Sequence, residues 1–226
     1  MNKLIISNSQ GSWLDTDGIP YTKLIADKNT FCYVRTGIEL TDIMNNFEDI
    51  FKTNAIDVVI IQLGIVEISN RILHDKTKIL LSNLSFLGKI ITKIIWTHKY
   101  KWMKLKKIIG LKDYQRMNSK KFRNIYSELC SKLISINVKR IYIIGLPKLN
   151  SNYIKTQNPY INKFIEESNS ELKNLQNEKI QYINIQELLC SDENNFTKDT
   201  VHFTKIGHER LANYLKNNIK ELNNAI

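Results

Sequence analysis

The chain has 226 residues, with 33 Lys and Arg against 22 Asp and Glu for a net charge of +11; that length buries a full core in one domain without disulfides or a structural metal. Its three cysteines, Cys32, Cys130 and Cys190, are odd in number, far apart and in no C-x-x-C arrangement, which argues against a disulfide framework or a zinc site and for free thiols in a reducing compartment. The start, MNKLIISNSQ, has only a short apolar run broken by Ser7 and Asn8, and no apolar stretch is long and uncharged enough to cross a bilayer, so a cytoplasmic protein is expected.

In chain order, KLII at 3–6 reads as a first strand and FCYV at 31–34 as a second. The stretch 39–54 follows as a helix with Ile43, Phe47, Ile50 and Phe51 on one face and Thr41 as its cap. DVVIIQL at 57–63 is a third strand, apolar without alternation, as strands buried on both faces are. Residues 68–118 form a long irregular basic insertion. A helix over 118–137 carries Phe122, Ile125, Leu129, Leu133 and Ile136 at helical spacing, and RIYIIGL at 140–146 is a fourth buried strand. A helix at 160–176, a strand IQYINI at 180–185 and a last helix at 205–222 complete the pattern. Strands alternating with helices imply β-α-β units. The expected fold class is therefore α/β, a three-layer α/β/α doubly wound domain on a mainly parallel, five-stranded sheet, spanning 1–226 as a single unit.

In such a sheet ligands bind beyond the carboxyl ends of the strands, and the polar residues gather there. The first strand is followed by SNSQGS with Ser7, Ser9 and Ser12; the second by Gly37; the third by Gly64, Val66 and Glu67; the fifth, after an interval, by Asp199 and His202 in KDTVHFTKIGH. A D-x-x-H spacing in a tight turn presents a carboxylate and an imidazole to one cleft. There the histidine can deprotonate a serine while the carboxylate fixes its tautomer.

On these residues the chain resembles the SGNH, or GDSL, hydrolases. Their G-D-S block after the first strand aligns with Ser7, Asn8 and Ser9, their second-block Gly with Gly37, their G-x-N-D block with Gly64, Val66 and Glu67, and their D-x-x-H block with Asp199 and His202. The resemblance runs from residue 3 to about 217 apart from the insertion, with DTVHFTKIGH its most specific piece. It implies a flavodoxin-like fold of the SGNH type, no metal or other cofactor, Ser9 as nucleophile, His202 as base and Asp199 as its orienting acid. It also implies oxyanion or substrate contacts at Gly37, Gly64, Asn8 and Glu67. One departure stands out: Val66 occupies the position of the family's oxyanion-binding Asn and cannot donate a hydrogen bond. Loss of one such donor costs on the order of 100-fold to 1000-fold in turnover, unless Asn8 or Gln10 replaces it.

Each residue also has a plainer reading. Ser9 can be a turn residue, with Ser12 and Ser7 as rival nucleophiles; Asp199 can cap the last helix; His202 can be a surface histidine. Glu67 can order the rim by accepting backbone N–H groups, pair with Arg71 or contact substrate. His208 packs or faces water on the last helix, and His74 and His98 in the insertion carry no assigned role. Within that insertion, 86–112 mixes lysines with large apolar side chains. It suits peripheral contact with an anionic membrane, a helical hairpin packing its apolar face on the domain, a lid over the rim or an oligomer contact; nucleic acid is the weakest of the anionic partners.

These readings lead to a serine esterase acting on an O-acyl group, O-acetyl foremost, of a bacterial surface glycan or its lipid-linked precursor. QLGIV followed by an acidic residue resembles the family branch associated with polysaccharide biosynthesis. An O-acyltransferase with the same triad, and a catalytically altered binding or assembly component, are the alternatives.

Overall fold

A computed structural model describes residues 1–12, 18–51, 55–71, 80–81, 83–109, 114–115, 117–149, 160–189, 192–197 and 201–223. Five strands, β1 (Lys3–Ser7), β2 (Thr30–Val34), β3 (Val58–Gln62), β6 (Arg140–Ile144) and β7 (Ile180–Ile183), form one parallel sheet in the order β2-β1-β3-β6-β7. Ile5 lies opposite Cys32 and Ile60, and Ile60 opposite Tyr142. The central strands are buried along their length, as expected for runs of apolar residues without alternation. β2 is an edge strand and leaves Phe31 and Cys32 exposed.

Helices cover both faces. Helix α1 (Tyr21–Leu24) packs against α9 (Lys205–Asn218). On the other side lie α2 (Leu40–Asn45), α4 (Ile65–Ile68), α7 (Ser119–Ser135) and α8 (Ile161–Lys173), with α7 and α8 in contact. The three-layer α/β/α class read from the sequence is the fold observed. Because the chain leaves β1 toward β2 on one side and β3 toward β6 on the other, the strand order reverses between β1 and β3. Ser9 and Gly64 follow those two strands.

Several boundaries differ from the expected ones for local reasons. The helix expected over 39–54 is interrupted at Asn46, whose side chain takes the Asp42 carbonyl, so that α2 is followed by a separate α3 (Phe47–Phe51). Its cap is Glu39 rather than Thr41: Glu39 and Asp42 satisfy each other's backbone N–H groups in a capping box. In α7 the buried face is Phe122, Tyr126, Leu129, Cys130 and Leu133. Ile136 is instead exposed, because the helix ends there and Asn137 turns the chain with φ 68°.

The insertion is largely helical, holding α5 (Ser85–Thr97) and α6 (Lys99–Ile108). A two-residue antiparallel ladder, β4 (Asn70–Arg71) with β5 (Tyr114–Gln115), brings its ends together.

Beneath the β1–β3 junction the core is polar. The Tyr21 hydroxyl donates to Gln62 Oε1 and lies 3.1 Å from Ser7 Oγ, which itself meets Gln62 Oε1 at 3.3 Å. Ser7, Tyr21 and Gln62 are all at most 1% exposed, and burial pushes the Tyr21 hydroxyl well above the usual phenol range. Removing one member leaves buried partners without their bond, at a cost of about 1–3 kcal/mol. Tyr21→Phe is therefore expected to lower the midpoint of thermal unfolding by several degrees, checked by calorimetry against the parent chain.

Candidate active site

The three serines after β1 have three different environments. Ser7 is the last residue of β1 and is fully buried in the polar cluster just described. Asn8 ends the strand and caps a single 3-10 turn, Ser9–Gly11, its Oδ1 accepting the Gln10 N–H at 3.0 Å. Ser12 closes that turn, with its N–H and its hydroxyl both donating to the Ser9 carbonyl, at 3.1 and 2.9 Å. Ser9 stands at the head of the turn, half-buried, past the carboxyl end of the strand.

His202 arrives at the same rim from the other end of the chain. An antiparallel bridge between Phe196 and Phe203 pinches a loop whose Thr197 N–H donates to the His202 carbonyl at 2.9 Å. The last helix begins at Lys205 with Thr204 as its cap, accepting from the Gly207 N–H, so capping α9 falls to Thr204 and not to Asp199. Asp199 itself lies outside the described residues. The serine turn and the histidine loop are joined directly: Gln10 Nε2 donates to the Val201 carbonyl at 3.1 Å. The residue after Ser9 is thus bonded to the residue before His202 across 191 positions of sequence.

Gly37 sits exposed in the turn between β2 and α2 with φ +71°, and Gly64 caps α4 with φ +131°. At Gly64 any side chain would be strained by the backbone and would also strike the Phe122 ring. Among the described residues neither the Ser9 nor the Gly37 N–H donates to the protein. That leaves both available to an oxyanion.

Two residues read as oxyanion or substrate contacts have structural work in addition. Asn8 is fully buried and holds the serine turn by its cap bond. Glu67 is fully buried, and its Oε1 accepts the Leu40 N–H at 2.6 Å at the positive end of α2, tying the third-strand loop to the second. This matches the reading of Glu67 as a carboxylate that orders the rim. Burial, followed by the nearby Glu67 charge, raises the Tyr126 hydroxyl well above its ordinary value. Val66 packs its side chain partly against the core. Gln10 Nε2 donates one of its two protons to the Val201 carbonyl, and Asn8, fully buried behind the serine turn, keeps its Nδ2 donor without a hydrogen-bond partner among the described residues.

His208, Tyr21, Gln10 and Gln62 support the site from below, and of these His208 and Gln10 drew attention in the sequence. A polar residue ending an apolar strand, as Gln62 does, was the available signal. His208 packs, only 1% exposed: Nδ1 accepts the Tyr21 N–H at 3.2 Å and Phe203 meets the ring edge-on at 5.5 Å. The accepting Nδ1 leaves the proton on Nε2. Burial, and then the His202 charge beside it, push His208 down to about 4.

No family model and no curated protein matches the sequence. Solved structures do match in fold. A lipase/acylhydrolase from Enterococcus faecalis superimposes with a TM-score of 0.62 at 13% identity, covering 98% of this chain and 96% of that one. A catalytic mutant of an acetylxylan esterase from Geobacillus stearothermophilus gives 0.61 at 13% identity, with 98% and 94% covered. TesA gives 0.60 at 11% identity, with 98% and 99% covered. The chain shares the α/β fold of these acylhydrolases and esterases, which match it over 98% of its length.

A histidine held neutral by the fold makes stability depend on pH. Since the folded value of about 4 lies below the ordinary 6.5, the unfolded chain binds the extra proton between them. The stabilisation is complete above pH 6.5 and declines as the pH falls toward 4. His208→Gln is expected to flatten the fall of the unfolding midpoint over that interval, measured by scanning calorimetry at a series of pH values.

Proposed function

We propose that the chain is a serine esterase that removes an O-acyl group, O-acetyl foremost, from a bacterial surface glycan or its precursor. The observation that carries this reading is the Gln10–Val201 bond, which holds the Ser9 turn against the His202 loop at the strand-order reversal of an acylhydrolase-type fold. The likeness to an acetylxylan esterase favours an acetylated carbohydrate.

In the mechanism, Ser9 Oγ attacks the ester carbonyl while His202 takes its proton and Asp199 holds the resulting imidazolium. The Ser9 and Gly37 N–H groups receive the oxyanion. Collapse breaks the bond to the sugar oxygen, which leaves with the proton from His202. Water, deprotonated by the same histidine, then releases the acid and restores Ser9. A sugar hydroxyl in place of water makes the same site an acyltransferase. Val66 favours a second reading, a relative whose catalysis is much reduced or replaced by binding, because it leaves two oxyanion donors where the family has three.

Hydrolysis of a chromogenic acetyl ester is the direct test. Turnover is expected to fall roughly 1000-fold or more in both Ser9→Ala and His202→Ala, and a phosphonate probe is expected to label Ser9 in the parent chain. A folded parent without turnover or labelling overturns the esterase reading in favour of the altered relative. Gln10→Leu breaks the tie between the two loops without touching a reacting atom. It is expected to lower kcat about 10-fold or more while KM changes little, since small misplacements of reacting groups are costly.

A further inference from the structure

The arm formed by α5 and α6 stands apart from the hydrophobic core, to which none of its described side chains belongs. On α5 the side chains of Phe86, Leu87, Ile90, Ile91 and Ile94 recur at four-residue spacings and are exposed, Phe86 to 73%. That is an exposed apolar face about 140° wide. On α6, Trp102, Leu105 and Ile108 are exposed as well, Ile108 to 81%. The two helices follow one another through His98 alone, whose N–H donates to the Ile94 carbonyl and whose carbonyl accepts the Trp102 N–H, so these residues lie along one continuing arm.

The charge on the arm names what covers that face. Between Phe86 and Lys112 there are eight lysines and no acidic residue. Lys89 and Lys93, a turn apart, are exposed beside the apolar face of α5, and Lys101 is exposed beside Trp102. A second copy of the chain docked face to face would set these lysines against their own counterparts, because a two-fold contact pairs a patch with itself. A polyanion such as nucleic acid would satisfy the lysines but leave the exposed isoleucines in water. An anionic bilayer surface satisfies both at once, taking apolar side chains below its headgroups and lysines among them. No helix among the described residues is long and apolar enough to cross a membrane, so the contact is one of lying on the surface.

We infer that the α5–α6 arm docks the protein on an anionic phospholipid surface. The arm departs from the chain just after α4 and returns through the β4–β5 ladder, so it is rooted at the rim where Ser9 and Gly37 lie. Docking there brings that rim to the membrane, where a lipid-linked glycan would be met. The inference does not depend on the esterase reading, since membrane binding is measured without turnover.

The test is co-sedimentation of the full chain with vesicles of phosphatidylcholine alone or with roughly one-third phosphatidylglycerol. Binding to the anionic vesicles is expected to be at least about 10-fold tighter and to weaken markedly as salt rises well above the physiological range. Ile90→Ser with Ile94→Ser, which changes exposed positions and no charge, is expected to weaken it about 10-fold or more, as is Lys89→Gln with Lys93→Gln. Equal or absent binding to the two vesicle types overturns the inference. So does salt-sensitive binding untouched by the isoleucine substitutions, which marks a purely electrostatic contact. A dimer in light scattering that the isoleucine substitutions dissociate assigns the face to a second copy and overturns it as well.

Discussion

Tyr21 reaches from α1 into the sheet and places its hydroxyl between Ser7 and Gln62, the last paired residues of β1 and β3. Buried polar groups with no access to water must find partners within the protein. The three side chains therefore hold one another at the point where the strand order reverses. Next to Ser7, the chain turns at Asn8 and presents Ser9. Through Tyr21, whose N–H is bonded to His208, the same cluster reaches α9, which directly follows the His202 loop. The two halves of the candidate site are thus hung from one buried polar anchor.

Electrostatics separates the two histidines near the rim. His208, enclosed by Tyr21 and Phe203, is held neutral and serves as a fixed acceptor. His202 lies half-buried in the loop above it, with its ring Nε2 buried. Glu67 plays the corresponding structural part on the other side, its carboxylate fastening α4 to the start of α2 and so keeping the Gly64 and Gly37 turns in fixed relation.

The α5–α6 arm follows different physics from the domain that carries it. In the domain, apolar residues at helical spacing find a sheet to cover, as the face of α7 does with Phe122 and Leu129. In α5 the same spacing finds no such surface among the described residues, and lysines rather than mixed charges flank it. One chain thus combines a doubly wound α/β domain with an arm whose exposed surface is amphipathic.

The amino-acid sequence by itself determined the class of fold, because unbroken apolar runs such as VVII at 58–61 can only be strands covered on both faces, and the helices between them force parallel crossovers. It also placed Ser9, Gly37 and Gly64 after strand ends, which a parallel sheet brings to one rim, and singled out Ser9 by its register with the family's first block. Only the tertiary structure showed how the surroundings of Ser7, Ser9 and Ser12 differ: the difference lies in hydrogen bonds to Tyr21, Gln62 and the Ser9 carbonyl, made by partners up to 55 positions away. The cap at Glu39, the burial of His208 and the Gln10–Val201 tie were likewise settled there. Periodicity reports which face of an element is apolar, but which buried polar atoms meet depends on how elements distant in sequence are packed.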